Sequence, residues 1–226
     1  MSALLASVGE QPTAISPLID HLLTENLREV VLLVTKDPYV LLSARVIQWE
    51  YHQIPVSLKA LQFEDAITED DLVEVMRVAR EELIRLRRWR RVYVGISGGR
   101  KGIAATLALA GSFFGAYRVL HVITEEISSV SPEWYSIREE LRQDFEKFVG
   151  QRGDEIREFL HRPGGRIVAL PLIPAEINEA VSALEGMEKG HKKARPYLIK
   201  KLEEIGALRK GKLTEYGKML VKALGR

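Results

Sequence analysis

The stretch that decides the fold is Val92-Tyr93-Val94-Gly95-Ile96-Ser97-Gly98-Gly99-Arg100-Lys101-Gly102. Its apolar half predicts a strand, and the small and apolar residues that return at helical spacing over 102–115 predict a helix after the loop. The glycine pair lets backbone N–H groups approach an anion closely, and the helix adds the positive end of its dipole. The loop is therefore a candidate anion site. The alternative is an ordinary tight turn whose two basic side chains lie in water.

Segments on both sides of this stretch predict further strands and helices in alternation. The other predicted strands cover residues 3–8, 29–35, 56–61, 117–124 and 166–172. Helices are predicted after the first strand and over residues 39–51, 65–88, 102–115 and 132–161, the last with an interruption at 150–153. This order predicts an α/β fold with a Rossmann-like, doubly wound, mostly parallel sheet.

A second loop accompanies the glycine pair. The first predicted strand ends in Gly9-Glu10-Gln11-Pro12-Thr13. Ligands of open parallel sheets bind at the carboxyl ends of the strands. Because both loops follow strands of the same sheet, we expect them to lie at one edge and to form one site.

Composition narrows the class of protein. The 226 residues are 46% hydrophobic and 28% charged, and they include no cysteine, which excludes disulfides, thiolate catalysis and cysteine metal sites. The five histidines are scattered, so we expect no dedicated metal site. Since no apolar run approaches the ~18 residues of a membrane span, we expect a soluble, cytoplasmic protein without a membrane partner.

The segment after Pro174 differs in texture from the rest of the chain. It carries 12 Lys and Arg against 7 Asp and Glu, whereas the whole chain carries 33 against 31. We place a domain boundary here, with domains at 1–174 and 175–226. Helices are predicted at 175–188, 192–205 and 214–224, with a short basic hairpin at 206–213. This layout is typical of a small winged helix-turn-helix domain.

The predicted winged helix has two interpretations. Its basic residues over 189–201 would meet phosphates if the domain binds DNA. Glu203 and Glu204 follow in the same predicted helix and make its surface mixed. A mixed surface favours a structural or dimerising role for the domain.

The Ser-Gly-Gly-Arg-Lys loop at 97–101, the Gly-x-x-Pro loop at 9–12 and the winged-helix tail together resemble the CARF (CRISPR-associated Rossmann fold) family. Within it, the chain is most similar to the standalone ring nucleases, which join a CARF domain to a small winged-helix domain. The resemblance implies a homodimer that encloses a cyclic oligoadenylate, most often cyclic tetra-adenylate. It also implies cleavage without metal or cofactor, in which a ribose 2′-OH attacks the adjacent phosphate and leaves a 2′,3′-cyclic phosphate.

The resemblance assigns roles to residues of both loops. It implies Lys101 as the cation that stabilises the transition state, with Arg100 as a second phosphate or loop-positioning contact. In-line attack needs such stabilisation of the charge that develops at phosphorus. Gln11 and Ser7 complete the candidate catalytic set. The candidate ligand-binding residues are Gly9, Glu10, Pro12, Thr13, Ser97, Gly98, Gly99 and Gly102.

Gln11 is a departure from the family pattern, because related loops carry Ser or Thr just before the proline. Either Gln11 takes over the positioning role of that hydroxyl, or the role passes to Thr13 or Ser7. For Ser7 the alternative is a buried hydroxyl at the end of a strand, bonded to backbone. The substitution puts the rate of cleavage in doubt more than binding.

Two functions share this predicted fold. The first is a ring nuclease that destroys the cyclic oligoadenylate, the messenger of type III CRISPR immunity, and so ends the immune response. The second is a transcription regulator in which the same pocket binds the messenger without cutting it and the winged helix reads DNA. Lys101 and the carboxylates Glu203 and Glu204 favour the enzyme. Spacing excludes a P-loop, and a serine-hydrolase triad lacks plausible partners in chain order.

Overall fold

A mixed six-stranded sheet forms the centre of the molecule. The computed structural model describes residues 1–124, 131–162, 165–170, 179, 183–186, 196–204 and 207–224. The strands are β1 Ser2–Ser7, β2 Leu27–Val34, β3 Val56–Ala60, β4 Arg91–Gly95, β5 Arg118–Thr124 and β6 Gly165–Leu170. They lie in the order β3-β2-β1-β4-β5-β6, and all pairs are parallel except β5 with β6. The predicted Rossmann-like, mostly parallel sheet is confirmed.

Helices connect the strands and cover both faces of the sheet. Those of the sheet region are α1 Ser16–Thr24, α2 Pro38–Glu50, α3 Glu69–Leu86, α4 Lys101–Phe113, α5 Pro132–Gln143 and α6 Phe145–Leu160, and a 3₁₀ turn at Pro12–Ala14 precedes α1. Alternation along β1 divides the core, since Ala3 and Leu5 pack on the side of α3 and α4, while Leu4 and Ala6 pack on the side of α1 and α2. A third apolar cluster joins α2 to α5 and α6.

The centre of the sheet is the point where the chain changes direction. From β1 the chain continues to β2 on one side, and from β4 it continues to β5 on the other. In open α/β sheets, ligands bind in the crevice at the carboxyl ends of the strands where this reversal occurs. Ala6 pairs with Gly95 at the last rung of the β1–β4 ladder, so the loops after the two strands begin at the same height.

The predicted helix over 132–161 is two helices that meet at Asp144, and the predicted interruption at 150–153 is confirmed as a kink inside the second of them. The break lies at Asp144, whose carboxylate accepts a hydrogen bond from the N–H of Lys147 and caps α6. Arg152 adds only a kink, with a non-helical φ of −129°. Gly153 serves packing, since a methyl group there would lie 3.1 Å from the Trp49 ring.

After residue 195, the described residues form two helices and a small hairpin. These are α7 Pro196–Glu204, β7 Leu208–Arg209, β8 Lys212–Leu213 and α8 Glu215–Leu224. Lys210 and Gly211 both have positive φ, as the two-residue turn between such strands requires. Of the predicted helix 175–188, residues 183–186 are described as helical, and most of the rest, like 192–195, lies outside the described residues. The winged helix and the domain boundary at 174 stay predictions.

The C-terminal elements pack against α3. Side chains of Leu198, Leu202, Leu208 and Val221 are buried in the same apolar cluster as the α3 and α4 face of the sheet. The Lys222 ammonium lies 2.8 Å from a carboxylate oxygen of Asp70, in the first turn of α3. Within the described part of the chain, no helix is both long enough and apolar enough to span a membrane.

Candidate functional site

The two predicted loops meet backbone to backbone at the carboxyl edge of the sheet. A methyl group on Gly98 would lie 2.5 Å from the carbonyl oxygen of Ser7, and one on Gly9 would lie 2.7 Å from the N atom of Gly99. Only glycine allows such an approach. Gly99 has a φ of +85°, which also favours glycine. The glycines that the sequence singled out therefore hold the two loops against each other.

Ser7 supports this contact from below. Its hydroxyl is buried and donates a hydrogen bond to the carbonyl oxygen of Gly98 at 2.6 Å. This bond matches the alternative given for Ser7 from the sequence, a strand-end hydroxyl bonded to backbone. Ser7 thus fixes the loop after β4 to the end of β1.

The helix that follows Gly99 begins without a side-chain cap. Its N-cap residue is Arg100, and a guanidinium has donors only, so it accepts no hydrogen bond from the first turn. The first N–H groups of a helix have no partner within the helix. The N-terminus of α4 therefore presents free donors and a partial positive charge at the loop.

Two cationic side chains stand at this helix end. Arg100 is 69% exposed, and its guanidinium lies 2.9 Å from a carboxylate oxygen of Asp65 in the loop after β3. Lys101 is exposed, and among the described residues no carboxylate forms an ion pair with it. Gly102 faces Leu72 of α3, at a distance of 3.3 Å from the position of a methyl group, so it serves the packing of α4. Lys101 is thus an exposed cation beside open N–H donors.

The loop after β1 is held by α5. The indole N–H of Trp134 donates to the carbonyl oxygen of Glu10 at 2.6 Å, and the Ser43 hydroxyl donates to the same oxygen. The Glu10 carboxylate accepts a hydrogen bond from the Arg138 guanidinium at 2.8 Å. Sequence reasoning missed Trp134, Ser43 and Arg138, since nothing in the local pattern connects them to Glu10.

Gln11 and Thr13 are bonded to each other. The Gln11 side-chain amide donates to the Thr13 hydroxyl at 2.7 Å, and its carbonyl oxygen accepts a hydrogen bond from the N–H of Ser131 at 3.2 Å. Gln11 therefore links the loop after β1 to the start of α5. Which of Gln11, Thr13 and Ser7 takes over the role of the family's hydroxyl stays a prediction.

Ser97 lies at the end of β4 beside a histidine. Its hydroxyl oxygen accepts a hydrogen bond from the N–H of Val122 at 2.6 Å and lies 3.4 Å from Nδ1 of His121. Ser97 thus extends the contact between β4 and β5 by one residue. His121 belongs to β5, the neighbour of β4 in the sheet, and lies 24 residues after Ser97 in the sequence.

The described residues contain no group of three or more His, Asp and Glu side chains able to hold a metal ion. Pro12 is buried and opens the 3₁₀ turn, while its neighbours at 9–11 and 13 remain partly exposed. The structure therefore brings the predicted residues of both loops to one edge. What it offers there is a set of backbone donors and two cations, which is an arrangement for an anion.

Comparison with known families matches residues 11–202 to the family described as CRISPR-associated protein NE0113. Among curated proteins, none matches the sequence. Similar solved structures include Enterococcus italicus Csm6 bound to cyclic hexa-2′-fluoro-hexa-dAMP, with 13% identity and a TM-score of 0.48. They also include Can2 from Sulfobacillus thermosulfidooxidans in complex with cyclic tetra-adenylate, with 10% identity and a TM-score of 0.42. The alignments cover 99% of this chain but only 54% and 64% of those two chains.

Proposed function

This chain belongs to the family of CRISPR-associated protein NE0113, and from that membership we propose that it is a ring nuclease for a cyclic oligoadenylate. The preferred substrate in this proposal is cyclic tetra-adenylate. The observation that carries the proposal is the pair of loops packed through Gly9, Gly98 and Gly99, with the open end of α4 and Lys101 beside them. A phosphodiester is the group that such donors and cations fit.

The chemical step is an in-line transfer within the substrate. The oxygen of a ribose 2′-OH bonds to the adjacent phosphorus, the bond from phosphorus to the 5′-oxygen breaks, and the proton lost by the 2′-OH balances the one gained by the 5′-oxygen. The products carry a 2′,3′-cyclic phosphate and a 5′-hydroxyl. No bond in this scheme needs a metal or a cofactor.

The chain's own groups act by holding the phosphate and by stabilising charge. The N–H groups of Gly98 and Gly99 and of the first turn of α4 bind the non-bridging oxygens, and Lys101 neutralises the charge that grows on them in the transition state. Arg100 is exposed, and exposed ion pairs are weak, so it can exchange Asp65 for a phosphate. Ser7 and Gln11 act on the shape of the loops rather than on the substrate.

The homodimer is part of the proposal. One chain supplies one pair of loops, whereas a cyclic tetra-adenylate repeats the same phosphate around a ring. A two-fold axis through the loops lets two chains bind opposite sides of one ring, since a symmetric ligand suits a symmetric site. Sedimentation should then give about twice the chain mass of 25.5 kDa.

The test is cleavage of radiolabelled cyclic tetra-adenylate in EDTA. We expect the wild type to linearise the ring and Lys101→Ala to be about 100-fold slower or worse, since removing one transition-state contact has effects of that order. Lys147→Ala is the matched control, because Lys147 is an exposed lysine on α6. An intact ring after hours with excess wild-type protein contradicts the nuclease. Equal rates for wild type and Lys101→Ala contradict the role of Lys101.

A transcription regulator is the second candidate, and the C-terminal hairpin favours it. Arg209, Lys210 and Lys212 are exposed around a tight turn, as in a wing that meets a DNA backbone. The Glu203 carboxylate accepts a hydrogen bond from the N–H of Gly211 at 3.3 Å, so this acid is bonded to the hairpin. The regulator binds the ring and leaves it intact, which the cleavage test distinguishes.

A further inference from the structure

We propose that Tyr135 is a stacking platform for an adenine base of the bound ligand. This inference rests on the proposed function, because it names a base contact for the same site. Tyr135 lies on α5, outside both loops, and no local sequence pattern connects it with them.

The platform is the end of a ladder of aromatic rings and guanidinium groups. The guanidinium carbon of Arg138 lies 4.3 Å from the centre of the Tyr135 ring and 4.1 Å from that of Tyr39. Arg142 lies 5.3 Å from the centre of the Tyr39 ring. Each is within the range of a cation–π contact.

The two tyrosines of the ladder differ in how much of their ring surface is free for another contact. Tyr39 lies between two guanidinium groups, and its hydroxyl donates to Glu139 and accepts from Arg142. Tyr135 has a guanidinium on one face and is 55% exposed. Tyr39 therefore has its contacts within the protein, whereas Tyr135 leaves exposed ring surface on which a further flat group can stack.

The ladder is tied to the loop after β1. The Arg138 side chain is only 7% exposed, and it bonds Glu10 at 2.8 Å while it supports the Tyr135 ring. Trp134, the neighbour of Tyr135 in the chain, is fully buried, stacks on Phe159 and donates to the carbonyl oxygen of Glu10. The ring is thus held beside the loop after β1, whose Gly9 packs on Gly99 of the proposed phosphate loop.

The base of a nucleotide extends away from its phosphate across the sugar, so a phosphate held at Gly98 and Gly99 leaves the base to find its contact outside that loop. Tyr135 offers such a contact, because Arg138 holds its ring beside the loop after β1. Stacking on an aromatic ring uses the π-face that every base presents and needs no hydrogen-bond partner. An exposed ring that a buried arginine holds from behind supplies that face without a large loss of side-chain freedom on binding. A purine, with the larger face, is the base class that gains most.

The test is equilibrium binding of cyclic tetra-deoxyadenylate, which keeps the four bases and lacks the 2′-hydroxyl nucleophile, so the probe stays intact. We expect Tyr135→Ala to bind about tenfold more weakly than the wild type, since each stacked base contributes on that order. Tyr135→Phe keeps the ring and should bind within about twofold of wild type. Tyr117→Ala is the matched control, because Tyr117 is also half-exposed against arginines but lies at the opposite edge of the sheet.

The salt dependence separates stacking from a change in the loops. Loss of a base contact leaves the slope of log affinity against log salt unchanged, whereas displaced phosphate contacts reduce it. A reduced slope in Tyr135→Ala, or equal weakening in Tyr135→Phe, overturns the platform. Full affinity in Tyr135→Ala overturns it too and leaves the nuclease intact. Failure of the wild type to bind the probe overturns the proposed function and this inference with it.

Discussion

Helix starts at the centre of the sheet differ from those at its sides in how their first N–H groups are satisfied. In α2 the Asp37 carboxylate accepts hydrogen bonds from the N–H groups of Tyr39 and Val40, at 2.8 and 3.1 Å. In α3 Thr68 and Asp71 form a reciprocal capping box. The 3₁₀ turn after β1 and the helix after β4 begin instead at Gln11 and Arg100, and neither side chain accepts a hydrogen bond from a backbone N–H of the first turn.

The open starts follow β1 and β4, the neighbouring strands between which the chain reverses direction. The capped starts lie to either side: those of α2 and α3 follow β2 and β3, and that of α5, where the Ser131 hydroxyl accepts from the N–H of Trp134, follows β5. A cap satisfies the donors that would otherwise bind an anion, so a helix start serves either its own stability or a ligand. The contrast supports the central crevice as the proposed place for the phosphate.

The largest effect should come from closing the open region with a single methyl group. In Gly98→Ala the new carbon would lie 2.5 Å from the carbonyl oxygen of Ser7 and 2.9 Å from the N atom of Gly9, both backbone atoms that move only with their strand. We expect the free energy of unfolding to fall by about 2–3 kcal/mol, as for other overpacked sites. Ring cleavage should be lost with it. Denaturant unfolding and the cleavage assay measure the two effects.

Gly150→Ala is the matched control for this prediction. Gly150 lies inside α6, and a methyl group there meets no atom within 4 Å among the described residues. Alanine favours the helix over glycine, so the free energy of unfolding should rise by about 0.5–1 kcal/mol. If Gly98→Ala had no lower free energy of unfolding than the wild type, the two loops would not be in backbone contact. The contrast between open and capped helix starts would then be contradicted.

An intermediate effect should come from opening a capped start. Thr68→Ala removes the side-chain oxygen that accepts from the N–H of Asp71, at 3.2 Å, and breaks the capping box of α3. We expect the free energy of unfolding to fall by about 1 kcal/mol, the usual value of an N-cap. Ring binding should stay unchanged, because the side-chain bond of Thr68 lies within the start of α3 and the substitution leaves Asp65, the partner of Arg100, in place.

Thr68→Ser is the control for the cap, since serine keeps the hydroxyl and should restore most of the stability. If Thr68→Ala bound the ring more weakly while the protein stayed folded, the division between capped and open starts would be contradicted. Thermal unfolding and the binding titration of the same proteins measure both.

The strands and the glycine loop could be predicted from the sequence, and the contacts of the loop could not. The apolar runs and the Gly98-Gly99 pair are local signals, and the alternation of elements orders the sheet. The bond from Arg138 to Glu10 joins residues 128 positions apart, and no local pattern reports which helix packs on which loop. The break at Asp144 was missed because an aspartate inside a helical pattern serves equally as a surface residue or as a cap.

The smallest effect should come from a charge cluster formed by α1, the end of α2 and the residue after α6. His161, just after α6, bonds Asp20 of α1 at 2.9 Å and Glu50 at the end of α2 at 3.0 Å. Burial lowers the pKa of His161, but the hydrogen bonds to Glu50 and Asp20 together outweigh it and hold the pKa above its ordinary value of 6.5. The imidazolium therefore joins α6 to α1 and α2 while the histidine is charged.

The sign of the pH effect follows from that raised pKa. The contribution of His161 is fully present below the unfolded pKa of about 6.5 and is lost as pH rises through the higher pKa of the folded state. Between pH 6 and pH 9 the free energy of unfolding should fall by about 0.5 kcal/mol more in the wild type than in His161→Gln, a small value because the ring is partly exposed. Denaturant unfolding of both proteins across that range measures the difference. Ring binding should show no such difference between them, since neither open helix start contacts His161; a parallel loss of binding would mean that the far ends of the helices also shape the crevice.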